Sequence, residues 1–147
     1  HFIEDERIDS GRIIIQEKIK IEPLDNEGTL RRKIATLSEK VLIDTLSLII
    51  KQPKETFPLQ DESEATYYRK RTLEDSKINL NKPFRDILNK IRAVTPYPGA
   101  RLSFDGGEYT VDRAKRINED LLEDSCNVEE KVIIAKTLDG MVEFQVI

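Results

Sequence analysis

The sequence has 147 residues, of which 38% are apolar and 35% charged, with a formal net charge of -4 and a pI of about 5.2. That length suits one ordinary domain or two small ones, and the acidic balance disfavours nucleic acid as a partner. Cys126 is the only cysteine, which excludes an internal disulfide and indicates a reducing compartment, the cytoplasm. The longest apolar run, from Val41 to Ile50, is interrupted by polar residues and is too short to span a membrane.

The first predicted element is a strand over residues 12–21. These residues are rich in isoleucine, and apolar and polar residues alternate from Lys18 onward. This pattern is typical of a strand that leaves a buried sheet for its edge. Ser10 and Gly11 in front of it indicate a turn. We therefore expect residues 12–21 to belong to a larger sheet.

Two helices are predicted next, separated by a linker. The first begins near Thr29, where apolar residues start to recur every three or four positions, and Pro53 ends it. Residues 52–66 show little periodicity and predict an exposed connection. The second helix begins near Asn81 and tolerates Pro83 in its first turn. Its predicted buried face consists of Phe84, Ile87, Leu88 and Ile91.

Short strands dominate the C-terminal part. Residues 101–104 and 108–111 flank Asp105-Gly106-Gly107 and predict a hairpin. Residues 132–135 and 141–147 flank Leu138-Asp139-Gly140 and predict a second hairpin. Four or five short strands of this kind predict a small barrel.

The most informative stretch for function is residues 1–14. Asp9 stands where a loop enters the predicted strand, so a tight turn would aim its carboxylate off the sheet edge. Ligands bind at that edge in open α/β sheets. The structural alternative is that Asp9 only closes an Asx turn. His1 is likewise either a surface histidine or a catalytic one, and the local pattern leaves both questions open.

Several segments follow one another in an order that points to one family. They are His-Phe-Ile at residues 1–3, Ile-Asp-Ser-Gly at 8–11, Ile-Ile-Ile-Gln at 13–16, Ala-Thr-Tyr-Tyr at 65–68, Lys-Arg-Thr-Leu-Glu-Asp-Ser at 70–76, and Asn89 to Ala100. This order resembles the 10-formyltetrahydrofolate-dependent formyltransferases. The resemblance covers most of residues 1–111 and returns faintly near Ile133 to Phe144.

The resemblance implies an α/β plus β fold class. Residues 1–60 are expected to form the C-terminal end of a Rossmann-like catalytic domain, residues 61–99 a linker and helix, and residues 100–147 a small OB-fold-like barrel. The sequence opens with His1 in the middle of an apparent strand and not with methionine. We therefore expect the chain to be truncated, with an N-terminal catalytic portion missing.

The family's chemistry assigns roles to the residues around Asp9. Members resembling this chain use an Asn, a His and an Asp to move the formyl group of 10-formyltetrahydrofolate to a primary amine. The aspartate matches Asp9, and His1 stands where a histidine often begins this loop, although one extra residue separates the two here. The resemblance places the folate beside Ile8 and Asp9. The Asn and His of the upstream motif are absent from these residues. We therefore expect the 147-residue chain to be inactive by itself.

Two amine acceptors remain open, a nucleotide-linked amino sugar and initiator methionyl-tRNA. Residues 70–76 are similar to the Arg-Arg-Thr-Pro-acid-Asp element of the sugar-nucleotide enzymes, with Leu73 in place of the proline. The resemblance implies that Tyr68, Arg71 and Arg92 bind the substrate, with Arg71 at its nucleotide or diphosphate. The alternative is a solvated basic cluster.

Composition bears on the same choice of acceptor. The acidic C-terminal part favours the sugar. A single barrel face carrying four cations and no acids would favour tRNA instead. Those cations are Arg101, Arg113, Lys115 and Arg116.

A third interpretation is a non-catalytic binding module, in which the acidic stretch from Asn118 to Glu130 contacts a partner. A metal site is not expected, because one histidine and one cysteine do not make a recognisable ligand set. The folate is the only cofactor implied. No membrane partner is expected, and a homodimer is left open.

Overall fold

The computed structural model describes residues 1–3, 8–117, 124–127 and 131–147. Most of the acidic stretch that we considered for partner contact, residues 118–123 and 128–130, lies outside these described residues. The chain forms two compact units. Unit 1 comprises residues 1–21 and 31–70, and unit 2 comprises residues 22–30 and 71–147.

The described elements are two α-helices, three short 3₁₀ turns and five strands. The helices are α1 (Glu27–Lys51) and α2 (Phe84–Val94), the 3₁₀ turns are Lys54–Thr56, Glu62–Glu64 and Leu73–Ser76, and the strands are β1 (Ala100–Phe104), β2 (Gly107–Ile117), β3 (Ser125–Asn127), β4 (Val132–Thr137) and β5 (Gly140–Val146).

Helix α1 confirms the helix predicted from Thr29 and begins two residues earlier. The backbone N–H groups of Asn26 and Thr29 each donate to the other residue's side-chain oxygen at 2.9 Å, which satisfies donors that the first turn leaves open. The helix ends at Lys51, two residues before Pro53. Within the described residues, however, none of α1 is buried, and Leu42 is 60% exposed. Several apolar residues of α1, including Ile34, Leu42 and Leu46, are therefore exposed.

The strand predicted over residues 12–21 was wrong, because these residues belong to no strand in the described part of the chain. A strand is held by a continuous ladder of backbone hydrogen bonds to a neighbour. Here the Ile13 N–H donates to Pro58 O at 3.1 Å, and Arg12 O accepts from the Phe2 N–H at 3.0 Å. Two such bonds tie the segment down at its start without forming a ladder.

Both predicted hairpins are confirmed in unit 2. Strands β1 and β2 are joined by Asp105 and Gly106, whose φ values of 46° and 75° suit a tight turn in which both central residues have positive φ. Strands β4 and β5 are joined by Leu138 and Asp139. The two hairpins meet where β2 pairs with β5, so the strand order is β1-β2-β5-β4-β3.

The sheet forms a curled antiparallel half-barrel, the described counterpart of the predicted barrel. The register of β2 against β5 shifts between Val111 and Arg113, and such a bulge increases local twist and bends the strand. One parallel bridge, between Lys77 and Arg101, joins the chain before α2 to β1. The pairings among the described strands are all antiparallel, so the Rossmann-like sheet expected from the resemblance is not represented in them.

Helix α2 covers one face of this sheet, as its predicted apolar stripe requires. Ile87, Ile91 and Val94 are buried, and Phe84 packs against them partly exposed. Alternate residues of the strands supply the other side of the core. They include Leu102, Val111, Ile133, Val142 and Phe144. Unit 2 therefore has a continuous apolar core between one helix and one sheet.

Two loops hold α2 in place within unit 2. Asp139, in the β4–β5 turn, accepts a hydrogen bond from the Phe84 N–H at 2.8 Å and so satisfies a donor at the start of the helix. This bond, together with Arg116, holds the pKa of the Asp139 carboxyl below its usual value. At the other end, Gly99 has a φ of +86°, and its N–H donates to Val94 O at 2.9 Å. The chain thereby turns from α2 into β1.

Candidate functional site

Asp9 lies in a turn of unit 1 with a φ of +59°, in the left-handed region that aspartate tolerates better than most residues. Gln60 fixes the backbone around it. Its side-chain amide donates to Asp9 O at 2.6 Å and to Gly11 O at 2.7 Å. Because the backbone carbonyls are held from outside the loop, the Asp9 carboxylate is presented on a defined main chain.

His1 and Asp9, the two candidate catalytic residues, lie next to each other in unit 1. His1 Nε2 lies 3.3 Å from Asp9 Oδ1, with the two side chains 37% and 78% exposed. An imidazole at this distance orients the carboxylate, and its protonated form pairs with it. The pair is open to solvent, so a water or an amine can reach the carboxylate. Ile8, the predicted neighbour of the folate, is 90% exposed beside it.

An aromatic contact supports the His1 end of the pair. The Phe2 ring packs edge-on against Phe57 with 5.5 Å between ring centroids, and Phe57 is buried. Arg12 Nη1 donates to Phe57 O at 2.7 Å, and Lys54 Nζ lies 5.8 Å from the centre of the Phe2 ring. Residues 54–60 thus hold both ends of the loop that carries the pair.

The three residues predicted to bind substrate lie in different units. Tyr68 belongs to unit 1 and is 91% exposed, with its neighbour Tyr67 also exposed. Arg71 belongs to unit 2, where its Nη1 donates to Ala93 O at 2.6 Å. That carbonyl is in the last turn of α2, which leaves acceptors unsatisfied and favours positive charge. Arg71 therefore has a helix-capping contact.

Arg92 makes structural contacts within unit 2. Its Nε donates to Asp25 O at 2.7 Å and its Nη2 to Glu22 O at 3.2 Å. The side chain therefore ties the loop before α1 to α2. Both bonds are donated from one edge of the guanidinium, formed by Nε and Nη2. The remaining nitrogen, Nη1, lies 3.4 Å from Asn89 Oδ1.

The basic stripe that would favour tRNA does not form on the sheet. Arg101, Arg113 and Lys115 lie at positions that pair with Thr110, Gln145 and Glu143, whereas Arg116 extends over the Phe84 ring. Each of the four cations also has an acidic neighbour. The pairs are Arg101 with Glu108, Arg113 with Asp112, Lys115 with Glu143, and Arg116 with Asp139. The sheet face is therefore mixed in charge.

Sequence reasoning missed Gln60 and Asp139, which position the site loop and α2. Gln60 acts on Asp9 across 51 positions, and Asp139 acts on Phe84 across 55. No local pattern signals contacts over such separations. Within the described part of the chain, no cluster of histidine, cysteine and acidic residues suits a metal ion, and no helix is long and apolar enough to cross a bilayer.

Comparison with known proteins finds relatives over most of the chain. Residues 70–147 match the family model described as "Formyl transferase, C-terminal domain". A methionyl-tRNA formyltransferase of Staphylococcus aureus strain MW2 is 35% identical over 137 residues, which cover 91% of this chain and 44% of that protein. The enzyme of the same name from strain Newman is 34% identical with the same coverage. The chain therefore spans less than half the length of these curated relatives.

Solved structures show the same fold at low identity. A variant of HypX from Aquifex aeolicus with four substitutions superimposes with a TM-score of 0.66 and 16% identity over 95% of this chain and 26% of HypX. A second HypX variant, with two substitutions, has a TM-score of 0.66 at 17% identity, with 95% of this chain and 25% of HypX covered. The matched family model covers more than half of the chain and shows that the chain belongs to the formyl transferase C-terminal domain family.

Proposed function

We propose that the protein containing this chain transfers a formyl group from 10-formyltetrahydrofolate to a primary amine. The observation that carries the proposal is the 3.3 Å approach of His1 Nε2 to Asp9 Oδ1, in a chain whose residues 70–147 match a formyl transferase domain. In this proposal residues 1–60 are the end of the catalytic domain, residues 61–99 the linker and helix, and residues 100–147 the OB-like barrel.

Asp9 is proposed to handle the proton of the reaction. When an amine attacks the formyl carbon, its nitrogen becomes positively charged and must lose a proton, while the formyl oxygen becomes negatively charged. The Asp9 carboxylate accepts that proton directly or through a water, and His1 orients it. Ile8 offers an apolar surface for the donor's folate. The Asp9 carboxylate cannot donate a hydrogen bond to the oxyanion, and the Asn and His to which the resemblance assigns that task are absent from these 147 residues, so the chain by itself is expected to be inactive.

The proposed acceptor is the amino group of methionyl-tRNA. The relatives named above support this choice, since they carry the name methionyl-tRNA formyltransferase. The sequence favoured a nucleotide-linked amino sugar, and that acceptor remains the second candidate because residues 70–76 are similar to the element found in sugar-nucleotide enzymes. Tyr68, Arg71 and Arg92 are proposed to contact whichever acceptor binds, with Tyr68 the most accessible of the three.

The test measures formyl transfer by the complete gene product, supplied with 10-formyltetrahydrofolate and either methionyl-tRNA or nucleotide-linked amino sugars. Asp9→Asn is expected to lower kcat by about 10²–10⁴-fold, the usual contribution of a positioned acid or base. Asp61→Asn is the matched control, because Asp61 is an exposed carboxylate of unit 1 that bonds only to Ser63 among its described contacts.

The outcomes separate the candidate functions. Transfer to methionyl-tRNA that Asp9→Asn abolishes and Asp61→Asn preserves supports the proposal. Transfer only to an amino sugar selects the second candidate. No transfer to either acceptor leaves the non-catalytic binding module. Sedimentation of the same preparation tests the homodimer that the sequence leaves open.

A further inference from the structure

Gln60 in unit 1 makes two long-range contacts to the loop that carries Asp9. Its side-chain Nε2 donates to Asp9 O at 2.6 Å and to Gly11 O at 2.7 Å, across 51 and 49 positions of the chain. A primary amide has two N–H donors, which matches the two carbonyl acceptors. These acceptors flank Ser10, so a single side chain holds the backbone on both sides of the turn.

The segment before Gln60 is anchored to the same part of the chain by contacts that do not involve its amide. Arg12 Nη1 donates to Phe57 O at 2.7 Å, and the Ile13 N–H donates to Pro58 O at 3.1 Å. These two bonds keep the segments side by side independently of Gln60. Loss of the Gln60 amide is therefore expected to release the turn without separating the segments.

Asp9 has a backbone conformation that needs such support. Its φ of 59° lies in the left-handed region, which residues other than glycine adopt at a cost in energy and keep only where the surrounding structure holds them. The Asp9 side chain is 78% exposed, so packing gives it little support. The position of the carboxylate therefore depends on its main chain, and Gln60 holds that main chain.

We infer that Gln60 is a positioning residue for formyl transfer, which acts through Asp9 and not by contact with a substrate. The inference rests on the proposed function, in which the Asp9 carboxylate accepts a proton from the attacking amine. Proton transfer requires the carboxylate to lie within hydrogen-bond reach of the reacting nitrogen, and a displacement of about 1 Å costs about 10²-fold in rate. Loss of Gln60 is therefore expected to lower kcat and to leave the KM of both substrates nearly unchanged.

The experiment measures kcat and KM of the complete gene product with 10-formyltetrahydrofolate and the acceptor that it formylates, methionyl-tRNA or a nucleotide-linked amino sugar. Gln60→Glu keeps the shape of the side chain but replaces both donors with a carboxylate that only accepts, opposite two carbonyl oxygens. We expect kcat to fall by about 10–100-fold. Gln60→Ala removes the donors without adding a charge, is expected to lower kcat in the same direction, and keeps the test valid if Gln60→Glu does not fold.

The matched control is Gln52→Glu, which makes the same chemical change at an exposed glutamine of unit 1. It is expected to leave kcat and KM unchanged. Circular dichroism of each variant checks that the purified protein is folded.

A double variant separates positioning of Asp9 from a general structural effect. Residues that act as a unit have non-additive effects, so Gln60→Glu is expected to change kcat little in the Asp9→Asn background. A general loss of structure would instead lower the residual kcat of Asp9→Asn by the same factor as in the wild type. Single-turnover reactions with excess enzyme measure that residual rate.

The outcomes distinguish this inference from the proposed function. A lower kcat at constant KM in Gln60→Glu, absent from the Asp9→Asn background, supports the inference. Wild-type kcat in both Gln60 variants, while Asp9→Asn is strongly impaired, overturns the inference and leaves the proposed function standing. Equal losses of kcat in the two backgrounds also overturn the inference. Full activity of Asp9→Asn, or no transfer to either acceptor, overturns the proposed function and the inference with it.

Discussion

Both helices were predicted from apolar residues at three- and four-residue spacing, but α2 separates its apolar and polar faces far more strongly than α1, and the two helices differ in burial. Helix α2, with 11 residues, buries Ile87, Ile91 and Val94 against the sheet of unit 2. Helix α1, with 25 residues, buries none of its side chains, although it is longer and most of it belongs to unit 1. An apolar stripe therefore predicts that a helix forms, whereas its burial depends on a partner surface that the stripe does not specify.

This contrast predicts a large difference between core and stripe truncations. Phe144→Ala removes a fully buried side chain of β5 and is expected to lower the free energy of unfolding by about 3–5 kcal/mol. Leu42→Ala removes a side chain of α1 that is 60% exposed and is expected to cost less than about 0.5 kcal/mol. Urea unfolding followed by circular dichroism measures both. Losses of equal size would show that α1 is covered in solution.

A smaller loss of stability is expected at the α2–β1 junction, where the packing of unit 2 leaves no room for a side chain on Gly99. A Cβ on Gly99 would lie 2.8 Å from Thr110 Cγ2, and the φ of +86° strains any other residue. Gly106→Ala is the matched control, because its φ is also positive and nothing lies within 4 Å of the added carbon. We expect about 1–2 kcal/mol of destabilisation for the control and more for Gly99→Ala, measured by thermal unfolding. Equal destabilisation by the two variants would mean that the α2–β1 junction adjusts to accommodate the added Cβ.

The smallest expected effects come from one carboxylate in each unit. Hydrogen bonding lowers the pKa of Asp139, first through the Phe84 N–H, and that of Asp61, first through the Ser63 hydroxyl. A lowered folded-state pKa adds stability above the unfolded-state value, and this stability is lost as the pH falls through the folded-state pKa. In the Asp139→Asn variant, the free energy of unfolding is therefore expected to fall less steeply as the pH is lowered.

The corresponding variant in unit 1, Asp61→Asn, is expected to have a smaller effect on the loss of folding stability at acid pH. Asp61 bonds a residue only two positions away, so the same contact can form in the unfolded chain, whereas Asp139 reaches across 55 positions. Unfolding midpoints measured from neutral pH down to about pH 3 test both variants. An equal response from the two would remove this distinction between local and long-range contacts.

Much of unit 2 could be predicted from the sequence. The turn residues Asp105-Gly106 and Leu138-Asp139 identified both hairpins, because such turns specify the register of the strands beside them. The spacing of Ile87 and Ile91 identified the buried face of α2. In unit 1 the same reasoning failed at residues 12–21, since a β-branched run becomes a strand only beside another strand.

The candidate site likewise combines features that the sequence predicts with contacts that only the structure shows. Asp9 and its turn could be recognised locally, because aspartate before Ser-Gly is a turn signal that depends only on adjacent residues. The approach of His1 to Asp9 and the anchoring of both by Gln60 and Phe57 involve contacts between distant segments. The structure likewise gave Arg71 and Arg92 backbone acceptors that no spacing indicated.

The sequence by itself determined the presence of both helices, both hairpin turns and the resemblance to a formyltransferase, because these depend on residues within a few positions of one another or on their order. Only the tertiary structure decided which apolar face is covered and which cations meet acids. Those outcomes depend on contacts between segments that are far apart in the chain, and periodicity and local turn chemistry carry no information about such contacts.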